Sequence, residues 1–385
     1  MKSGFSTRKG LTFSECHLAE YICRQQIKGL SQQERAVSSK PTRQEVLPLK
    51  TRHVFLDTEV YRRAGYNVRN SQFKLFGDYI LAGKLALHTT DITYAEVNRQ
   101  IMELVSERAA RLKKIARDFQ RMSQLFSTIP KLPEIDDKEL GHSLWKAFLD
   151  VIVNDFNSNH ILAQQIPASR IFKKYFAGAA PFAERGSKEF PDAFMVEALA
   201  NFCDENSAKM YVVSGDAQLR SAAGSHPALI PLGSIDDLLA SCAAESDIDL
   251  EPLVDQLFDH PGFDDQLSEA LLNEAPYLEG LYFGDLTDGS VKDIWLDEVL
   301  AVDGYTLAAI DDVFVSLILD VPCVLRASVD YIYEDPDVED GDAQYVTTAT
   351  DSISEHVHLK VYVRIDTSTG RFVEKELLTK RAIFQ

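Results

Sequence analysis

Residues 53–58 read His-Val-Phe-Leu-Asp-Thr, a short apolar run that ends directly on an acidic residue. Such a run predicts a strand that is buried on both faces, as strands in parallel sheets are. Similar runs follow, and they alternate with segments of helical periodicity, at Leu85–Thr89, Met210–Ser214 and Leu229–Leu232. This alternation predicts an α/β fold with a doubly wound parallel sheet that helices cover on both sides.

The stretch between the second and third of these strands is long and has a helical pattern. Apolar residues recur at three- and four-residue steps, which predicts a helix from about Asp91 to Ser127 with one apolar stripe. The stripe consists of Ile101, Val105, Leu112, Ile115, Phe119, Met122 and Phe126. Further helices are expected over Asp137–Asn157 and Ala168–Phe176, so the sheet carries helical insertions.

The chain of 385 residues is longer than one hydrophobic core usually becomes, so at least two domains are expected. We expect a flexible basic arm over residues 1–50, the α/β domain over 51–245 and an acidic, β-rich α+β domain over 246–385. In this last region two short acidic helices precede segments in which β-branched residues alternate with polar ones. The segments are Tyr282, Val291–Ala301, Val313–Leu319, Val324–Tyr333, Val357–Ile365 and Arg371–Leu377.

Charge divides the chain into two parts. The formal net charge of −19 argues on its own against nucleic acid as a partner, because phosphate binding rests on Lys and Arg. Residues 247–385, however, hold 31 acidic and 8 basic residues, whereas the first 246 residues hold 28 acidic and 32 basic ones. The balance is therefore −23 in the C-terminal third and about +4 before it, and a nucleic-acid partner remains open for the N-terminal part.

The five cysteines are scattered and show no C-x-x-C spacing, so neither a disulfide framework nor a zinc site is expected. The first residues are polar and basic, and no later apolar run is long enough to span a bilayer. We therefore expect a soluble, cytoplasmic protein without a membrane partner.

Four acidic residues stand where a doubly wound sheet gathers ligands, at the carboxyl ends of strands and at adjoining helix starts. They are Asp57, Glu96, Asp192 and Asp216. Carboxylates gathered in one pocket repel one another and resist desolvation, and a hard cation relieves both costs. Mg²⁺ or Mn²⁺ prefers such oxygen ligands, so the pattern predicts a site for one of these cations.

Four ordered motifs resemble those of the PIN-domain nucleases. They are residues 53–58 (HVFLDT), 90–97 (TDITYAEV), 188–194 (KEFPDAF) and 213–216 (VSGD). The resemblance covers roughly residues 53–243 and is greatest with the larger bacterial branch that carries long helical insertions. It implies Asp57, Glu96, Asp192 and Asp216 as metal ligands, and it implies that Thr58 and Ser214 bond to these carboxylates or to the phosphate. It further implies endonucleolytic cleavage of RNA by metal-activated water, and it leaves a homodimer open.

Basic residues near the motifs are candidates for binding the substrate. Arg99, Arg117 and Arg121, together with Lys113, lie opposite the apolar stripe of the long helix, and Lys188 precedes Asp192. Contact with a phosphate backbone is one interpretation and a solvated helix face is the other. The neighbouring acids Glu59, Asp91 and Glu189 are interpreted as surface or helix-start charges.

Several functions remain open at this stage. The leading hypothesis is an RNA endonuclease, such as a toxin or antiviral-defence effector, that a protein or ligand regulates through the acidic C-terminal domain. A DNA-directed 5′-nuclease-like enzyme and a non-catalytic scaffold that binds nucleic acid or protein are the alternatives. The acids could also be strand-end and helix caps. His356 and His358 share one face of a predicted strand and could bind a metal, although no third ligand is evident.

Overall fold

The computed structural model describes residues 41–43, 48–123, 136–182, 189–244, 251–334 and 346–385. Most of the expected N-terminal arm, the candidate Lys188 and the last turn of the predicted long helix with Phe126 lie outside these residues. The expected domain boundaries near residues 50 and 245 stay predictions.

The first part of the described chain alternates between strands and helices. Its elements are β1 (Thr42–Arg43), β2 (His53–Leu56), α1 (Thr58–Arg63), α2 (Ser71–Leu81), β3 (Ala86–Thr90), α3 (Asp91–Ser123), α4 (Asp137–Leu149), a π-helical segment (Asp150–Asp155), β4 (Asn159–Ile161), a 3-10 turn (Ala163–Gln165), α5 (Ala168–Ala177), α6 (Phe190–Glu205), β5 (Met210–Val213), α7 (Ala217–Gly224), β6 (Leu229–Leu232) and α8 (Ile235–Ala243).

Five of these strands form one parallel sheet in the order β4-β3-β2-β5-β6. Its central strand β2 is buried on both faces. Val54 and Leu56 lie in one apolar cluster, while Phe55, which points to the opposite face, lies in another. The alternation follows from the two-residue period of a strand, and the predicted α/β fold with a parallel sheet is confirmed.

Two features of the helical insertion differ from the prediction. The apolar stripe of α3 is buried only in its first part: Ile101 and Val105 are buried, but Leu112, Ile115 and Phe119 are 40–48% exposed. The edge strand β4 was not predicted, because its sequence Asn-His-Ile has no apolar run. It is a strand because β3 offers it backbone partners, with His88 opposite Asn159.

The second part of the described chain is rich in strands. Its elements are α9 (Glu251–Phe258), α10 (Phe263–Glu274), a 3-10 turn (Ala275–Tyr277), β7 (Glu279–Tyr282), β8 (Ser290–Val299), β9 (Gly304–Ile310), β10 (Phe314–Glu334), β11 (Val346–Asp366), β12 (Phe372–Leu377) and β13 (Arg381–Phe384). A six-stranded sheet has the order β1-β9-β10-β11-β12, with β8 also paired to β10, and β7 and β13 form a parallel pair.

The strand β10 joins two segments that the sequence predicts as separate strands on either side of Pro322. Proline has no N–H for a ladder, so it normally interrupts a central strand. Here β9 pairs with β10 up to Asp320 and β8 pairs from Cys323 onward, so Pro322 lies in the gap between the two neighbours. The Pro322 carbonyl accepts from Leu300 N at 2.9 Å on that side. The N–H that proline lacks would therefore point to a position where neither β8 nor β9 pairs with β10.

The β-rich part packs against α2 and α8 through an apolar cluster. Ala308, Ile318 and Tyr362 are buried in the same cluster as Phe76 and Leu239. Since burial of apolar side chains is the main favourable term in folding, this cluster ties the two parts of the chain together.

Polar contacts border this cluster. Asp236, which is buried, accepts a hydrogen bond from Gln72 and forms an ion pair with Lys360. Ser71 Oγ donates to Glu374 Oε1 at 2.9 Å and also bonds to Glu376. The contact is therefore specific as well as apolar.

Within the described ranges, no helix is both long and apolar enough to cross a lipid bilayer.

Candidate active site

The first acidic residue, Asp57, lies at the carboxyl end of β2 and caps the start of α1. Its backbone N–H donates to Val213 O at 3.0 Å, because β2 and β5 are parallel neighbours with Leu56 opposite Val213. Its carboxylate accepts from Thr58 N and from Ser214 Oγ, both at 2.7 Å. Two donors, one from each strand end, thus orient the buried Asp57 carboxylate.

Glu96 approaches the same edge from the second turn of α3. Thr58 Oγ1 donates to Glu96 Oε2 at 3.0 Å, and Gln100 Nε2 donates to Glu96 Oε1 at 3.4 Å. Gln100 is itself held by Tyr66, whose hydroxyl donates to Gln100 Oε1 at 2.7 Å. Thr58 and Ser214, which the resemblance implied as supporting residues, therefore each bond to one of the predicted acids.

Asp192 lies in the first turn of α6 and is coupled electrostatically to the other acids. Burial raises the pKa of Asp192 well above its usual range, and a hydrogen bond with Glu189 and the charges of Asp57, Glu189 and Glu96 raise it further. The pKa of Asp57 is raised to about 6, first by burial and then by Glu96 and Glu59, although the Ser214 and Thr58 donors oppose the change. Desolvated carboxyl groups within range of other negative charges resist ionisation. Asp57 and Asp192, with Glu96 whose charge acts on both, form an acid cluster.

Asp216 lies next to this cluster but is engaged differently. Its Oδ1 accepts from Gln218 N at 2.6 Å and Leu219 N at 3.0 Å, so it caps the start of α7. Its own N–H donates to Ser214 Oγ at 3.0 Å. Ser214 therefore joins Asp216 to Asp57, while the Asp216 carboxylate is partly committed to the helix cap.

Glu59 and Glu189, which the sequence suggested as surface charges, both interact with these acids. Glu59 Oε1 accepts from Arg63 at 2.7 Å, but Glu59 Oε2 is buried without a hydrogen-bond partner among the described residues. Gly215 makes room for this carboxylate, since a side chain there would collide with Glu59 and Arg63. The sequence did contain a signal for Glu59: it follows Asp57 by two residues and lies at the start of a helix that begins at the sheet edge.

The third neighbouring acid, Asp91, has a structural role instead. Its carboxylate accepts from Ala163 N at 2.7 Å and from Gln164 N at 3.2 Å, so it holds the 3-10 turn and lies outside the acid cluster.

The candidate basic residues are spread along α3. Arg99 lies 3.9 Å from Glu96 Oε1 and pairs with Glu103 at 2.8 Å, so it borders the acid cluster. Arg117 and Arg121 follow Glu96 by 21 and 25 positions, about 32 Å and about 38 Å along the helix axis at 1.5 Å per residue. Lys113 pairs with Asp137 at 2.8 Å. Only Arg99 of these four is brought next to the acids.

The chemistry of the donors fits a hard divalent cation. They are carboxylates, one of which carries a buried oxygen without a partner. Among the described residues, however, no group of three or more His, Cys, Asp or Glu side chains is already arranged to hold a metal ion, and this includes His356 and His358. Hydrogen bonds from Thr58, from Ser214 and from the start of α7 occupy carboxylate oxygens of the acids. Binding of a cation would therefore require the carboxylates to move closer together.

Residues 54–218 match a family model described as a PIN domain. All four acids that the motifs single out lie inside this range, and the resemblance predicted from the sequence is confirmed. No curated protein and no protein of solved structure matches the chain.

Proposed function

We propose that the protein is a metal-dependent endonuclease that cleaves RNA, on the premise that residues 54–218 match a family model described as a PIN domain. PIN domains are generally nucleases that use Mg²⁺ or Mn²⁺ and act on nucleic acid. The cation, the cleavage of RNA and the site residues of this chain are parts of the proposal.

The observation that carries the proposal is the group of acids around the buried Asp57: burial and the charges of neighbouring acids raise the pKa values of Asp57 and Asp192, and these neighbours are Glu96, Glu59 and Glu189. Burying several carboxylates within range of one another destabilises the folded state unless protons or a cation neutralise them. A cluster of this kind is typical of a functional site. Helix capping accounts for one carboxylate oxygen of Asp216 and for the bond of Asp57 to Thr58 N, but it does not account for the charges of several acids acting together on Asp57 and Asp192.

In the proposed site, Asp57, Glu96, Asp192 and Asp216 hold the cation, and the remaining groups set their positions. A bound Mg²⁺ or Mn²⁺ supplies Lewis acidity for the attack of water on a phosphodiester. Ser214 orients Asp57, and Thr58 and Gln100 orient Glu96. Arg99 lies close enough to Glu96 to contact a phosphate at the rim, and Lys188 keeps its candidate role from its place in the motif before Asp192.

RNA is favoured over DNA by the family resemblance, and the basic balance of the first 246 residues is compatible with either polymer. The two additional acids, Glu59 and Glu189, favour a second candidate function. Related DNA-directed 5′-nucleases use more carboxylates for a two-metal cleavage, and this site has six acids rather than four. Substrate preference therefore has to be measured on both polymers.

We also propose that the β-rich part regulates the site, in cis or through a protein or ligand that it binds. Burial raises the pKa of Tyr66, the residue that holds Gln100 against Glu96, and the charges of Arg62 and of Arg381 on β13 oppose this rise. The charge of Arg381, in the C-terminal part, therefore acts on a residue that holds Gln100 against Glu96. A homodimer and a role in defence stay predictions.

The test is cleavage of single-stranded RNA and DNA of the same sequence by the full chain with Mg²⁺, Mn²⁺ or EDTA. Wild type is compared with Asp57→Asn, Glu96→Gln and the control Glu107→Gln, which removes an exposed carboxylate from the same helix as Glu96. We expect metal-dependent cleavage of RNA in wild type and in the control, and at least a hundredfold loss in the two site variants. Equal cleavage by Asp57→Asn and wild type would refute the assignment of the site.

A further inference from the structure

One long edge of the β-rich sheet carries no neighbouring strand. On one side, β11 pairs with β10 along all of its 21 residues without a break in register. On its other side, β12 pairs with the segment from Val361 to Ile365. Among the residues that the structure describes, no strand pairs with that side between Thr348 and His358. We call this side of Thr348–His358 the open edge, and at about 3.3 Å per residue it is about 33 Å long.

The direction of the backbone groups along the open edge follows from Lys360. Lys360 N donates to Thr379 Oγ1 at 2.8 Å, and Lys360 O accepts from Leu378 N at 2.8 Å, so both groups point away from β10. In an antiparallel strand this direction recurs at every second residue, and no bulge interrupts the pairing with β10. The N–H and C=O groups that point outwards on the open edge therefore belong to Thr348, Thr350, Ser352, Ser354, His356 and His358.

The open edge lacks the features that usually protect an edge strand, which are lysine, proline, a bulge or a covering segment. Two other edges of the sheet have such protection. β1 covers β9, and β12 is six residues long, contains Lys375 and bonds to Ser71 on α2 through two of its glutamates. Residues 346–359, in contrast, contain no proline, lysine or arginine. An unprotected row of backbone donors and acceptors is a template for a further strand.

The charge of the open edge indicates what kind of strand fits. Its charged side chains are Asp351 and Glu355, which share one face because they are four residues apart. Residues 335–345, which precede β11 in the sequence, contain five acidic residues and no basic one. In a twofold antiparallel pair of two open edges, Asp351 and Glu355 of one copy would lie opposite or diagonal to those of the other, and like charges so placed are destabilising. Charge therefore disfavours a second copy of the chain and favours a basic strand.

We propose that the open edge binds an extended, basic segment of a partner protein, which joins the sheet as a further strand beside β11. The outward backbone groups form the ladder with this segment, and Asp351 and Glu355 select lysine or arginine at every second position of it. The proposal specifies the partner for the regulatory role proposed above for the β-rich part. Its test involves no cleavage, so its failure is distinguishable from failure of the proposed nuclease function.

The test is the binding of a fluorescein-labelled 12-residue peptide of alternating lysine and threonine to the full chain, measured by fluorescence anisotropy. Two further peptides serve as controls: one has glutamate in place of lysine, and the other is N-methylated at every residue and has no backbone N–H to donate. The protein variants are Ser354→Pro and Ser354→Ala. Ser354 is exposed and its N–H points away from β10, so proline there removes an outward donor and no bond to β10.

We expect wild type to bind the lysine peptide more tightly than the glutamate peptide and the N-methylated peptide, by about tenfold in each case. Ser354→Pro should weaken binding of the lysine peptide by about tenfold, because a ladder hydrogen bond is lost. Ser354→Ala keeps the N–H, so its affinity should stay within about twofold of wild type. Asp351→Asn should weaken binding and reduce its dependence on salt, because the contribution of Asp351 is electrostatic.

Three results would each overturn the proposal. The first is equal binding of the lysine peptide by the Ser354→Pro and Ser354→Ala proteins, and the second is equal binding of the plain and N-methylated peptides by wild type. The third is a concentration-dependent dimer in size-exclusion chromatography that Ser354→Pro dissociates and Ser354→Ala does not, since a second copy of the chain would then occupy the open edge. Circular dichroism checks the fold of both variants, and if Ser354→Pro does not fold, the N-methylated peptide and wild type decide the outcome.

Discussion

Ser214 Oγ donates a hydrogen bond to Asp57 Oδ2 at 2.7 Å, and this bond joins the ends of two parallel strands that are 157 positions apart in the chain. The same oxygen accepts from Asp216 N at 3.0 Å. Ser214 is fully buried, so no water replaces the hydroxyl if it is removed. It is therefore the group that most directly sets the position and charge of Asp57.

Ser214→Ala should destabilise the protein by about 2 kcal/mol at pH 8, because a buried, ionised carboxylate loses a donor. The pKa of Asp57 is about 6 in the folded protein, and loss of the donor raises this pKa further. The destabilisation should therefore decrease as the pH falls towards 6, and it should be smallest below pH 6, where the Asp57 carboxyl is protonated in both proteins. Urea denaturation at pH 8 and pH 5 measures both effects.

The matched control is Ser316→Ala in the β-rich part. Ser316 is also buried, and its hydroxyl bonds to the neutral hydroxyl of Tyr362 at 3.1 Å. Its substitution should cost about 1 kcal/mol, with no change between pH 8 and pH 5. A Ser214→Ala penalty that is the same at both pH values would show that the bond does not depend on the charge of Asp57.

Glu59→Gln should weaken binding of Mn²⁺ by about tenfold. The Glu59 carboxylate has a buried oxygen without a hydrogen-bond partner among the described residues, and its charge acts on Asp57. Cation affinity in oxygen sites rises with the number of ligand charges. Isothermal titration with Mn²⁺ measures the change, and the exposed Glu107→Gln on α3 serves as the control. Unchanged affinity would assign Glu59 to its ion pair with Arg63 alone.

Lys360→Met should destabilise the protein by roughly 2 kcal/mol, because it leaves the buried carboxylate of Asp236 with Gln72 as its remaining side-chain partner. The Lys360 side chain is about half exposed, so the loss is smaller than for a fully buried pair. Adding Asp236→Asn to Lys360→Met should recover part of the stability, since the uncompensated charge is then gone.

Tryptophan fluorescence can measure whether the α/β part and the β-rich part unfold together, because each part contains one of the two tryptophans. Trp145 lies in α4 and Trp295 in β8, so the variants Trp295→Phe and Trp145→Phe each report on one part. Because one apolar cluster contains residues of both parts, the two fluorescence transitions should coincide in urea. If the two transitions occurred at different urea concentrations in proteins that carry no other substitution, the cluster would not couple the unfolding of the two parts.

We expect the free energy of unfolding to decrease below neutral pH because His88 is buried in its neutral form. It is almost fully buried on β3, with Nε2 2.9 Å from His53 Nδ1, and burial followed by the charges of His53 and Arg52 lowers its pKa to about 4. The unfolded chain, with a pKa of about 6.5, takes up a proton that the folded protein does not. Stability is therefore lost as the pH falls from 6.5 towards 4, by about 3 kcal/mol at most.

The comparison is between wild type, His88→Gln and the exposed-site control His142→Gln, in urea at pH 7, 5.5 and 4.5. The raised pKa values of Asp57 and Asp192 act in the opposite direction, but they are common to all three proteins. The loss of stability between pH 7 and 4.5 should be smaller in His88→Gln than in the other two. The same loss in all three would mean that the folded protein protonates His88 normally.

The sequence by itself determined four of the five strands of the parallel sheet, and it singled out four acids at strand ends and helix starts. An apolar run such as 53–56 is buried wherever it finds a partner, and an acid that directly follows it must lie at the strand end. The period of two residues then sends Phe55 to one face and Val54 to the other. These features depend on local composition, which can be read along the chain.

Only the tertiary structure decided which polar segments pair and which charges are buried. Asn159–Ile161 becomes a strand because β3 lies beside it, and Pro322 continues a strand because its missing donor falls between β8 and β9. Glu59 and Glu189 have the composition of surface residues, yet their charges act on Asp57 and Asp192, and one carboxylate oxygen of Glu59 is buried. Backbone pairing and desolvation depend on neighbours in space, and their effects on a residue are therefore absent from its local sequence.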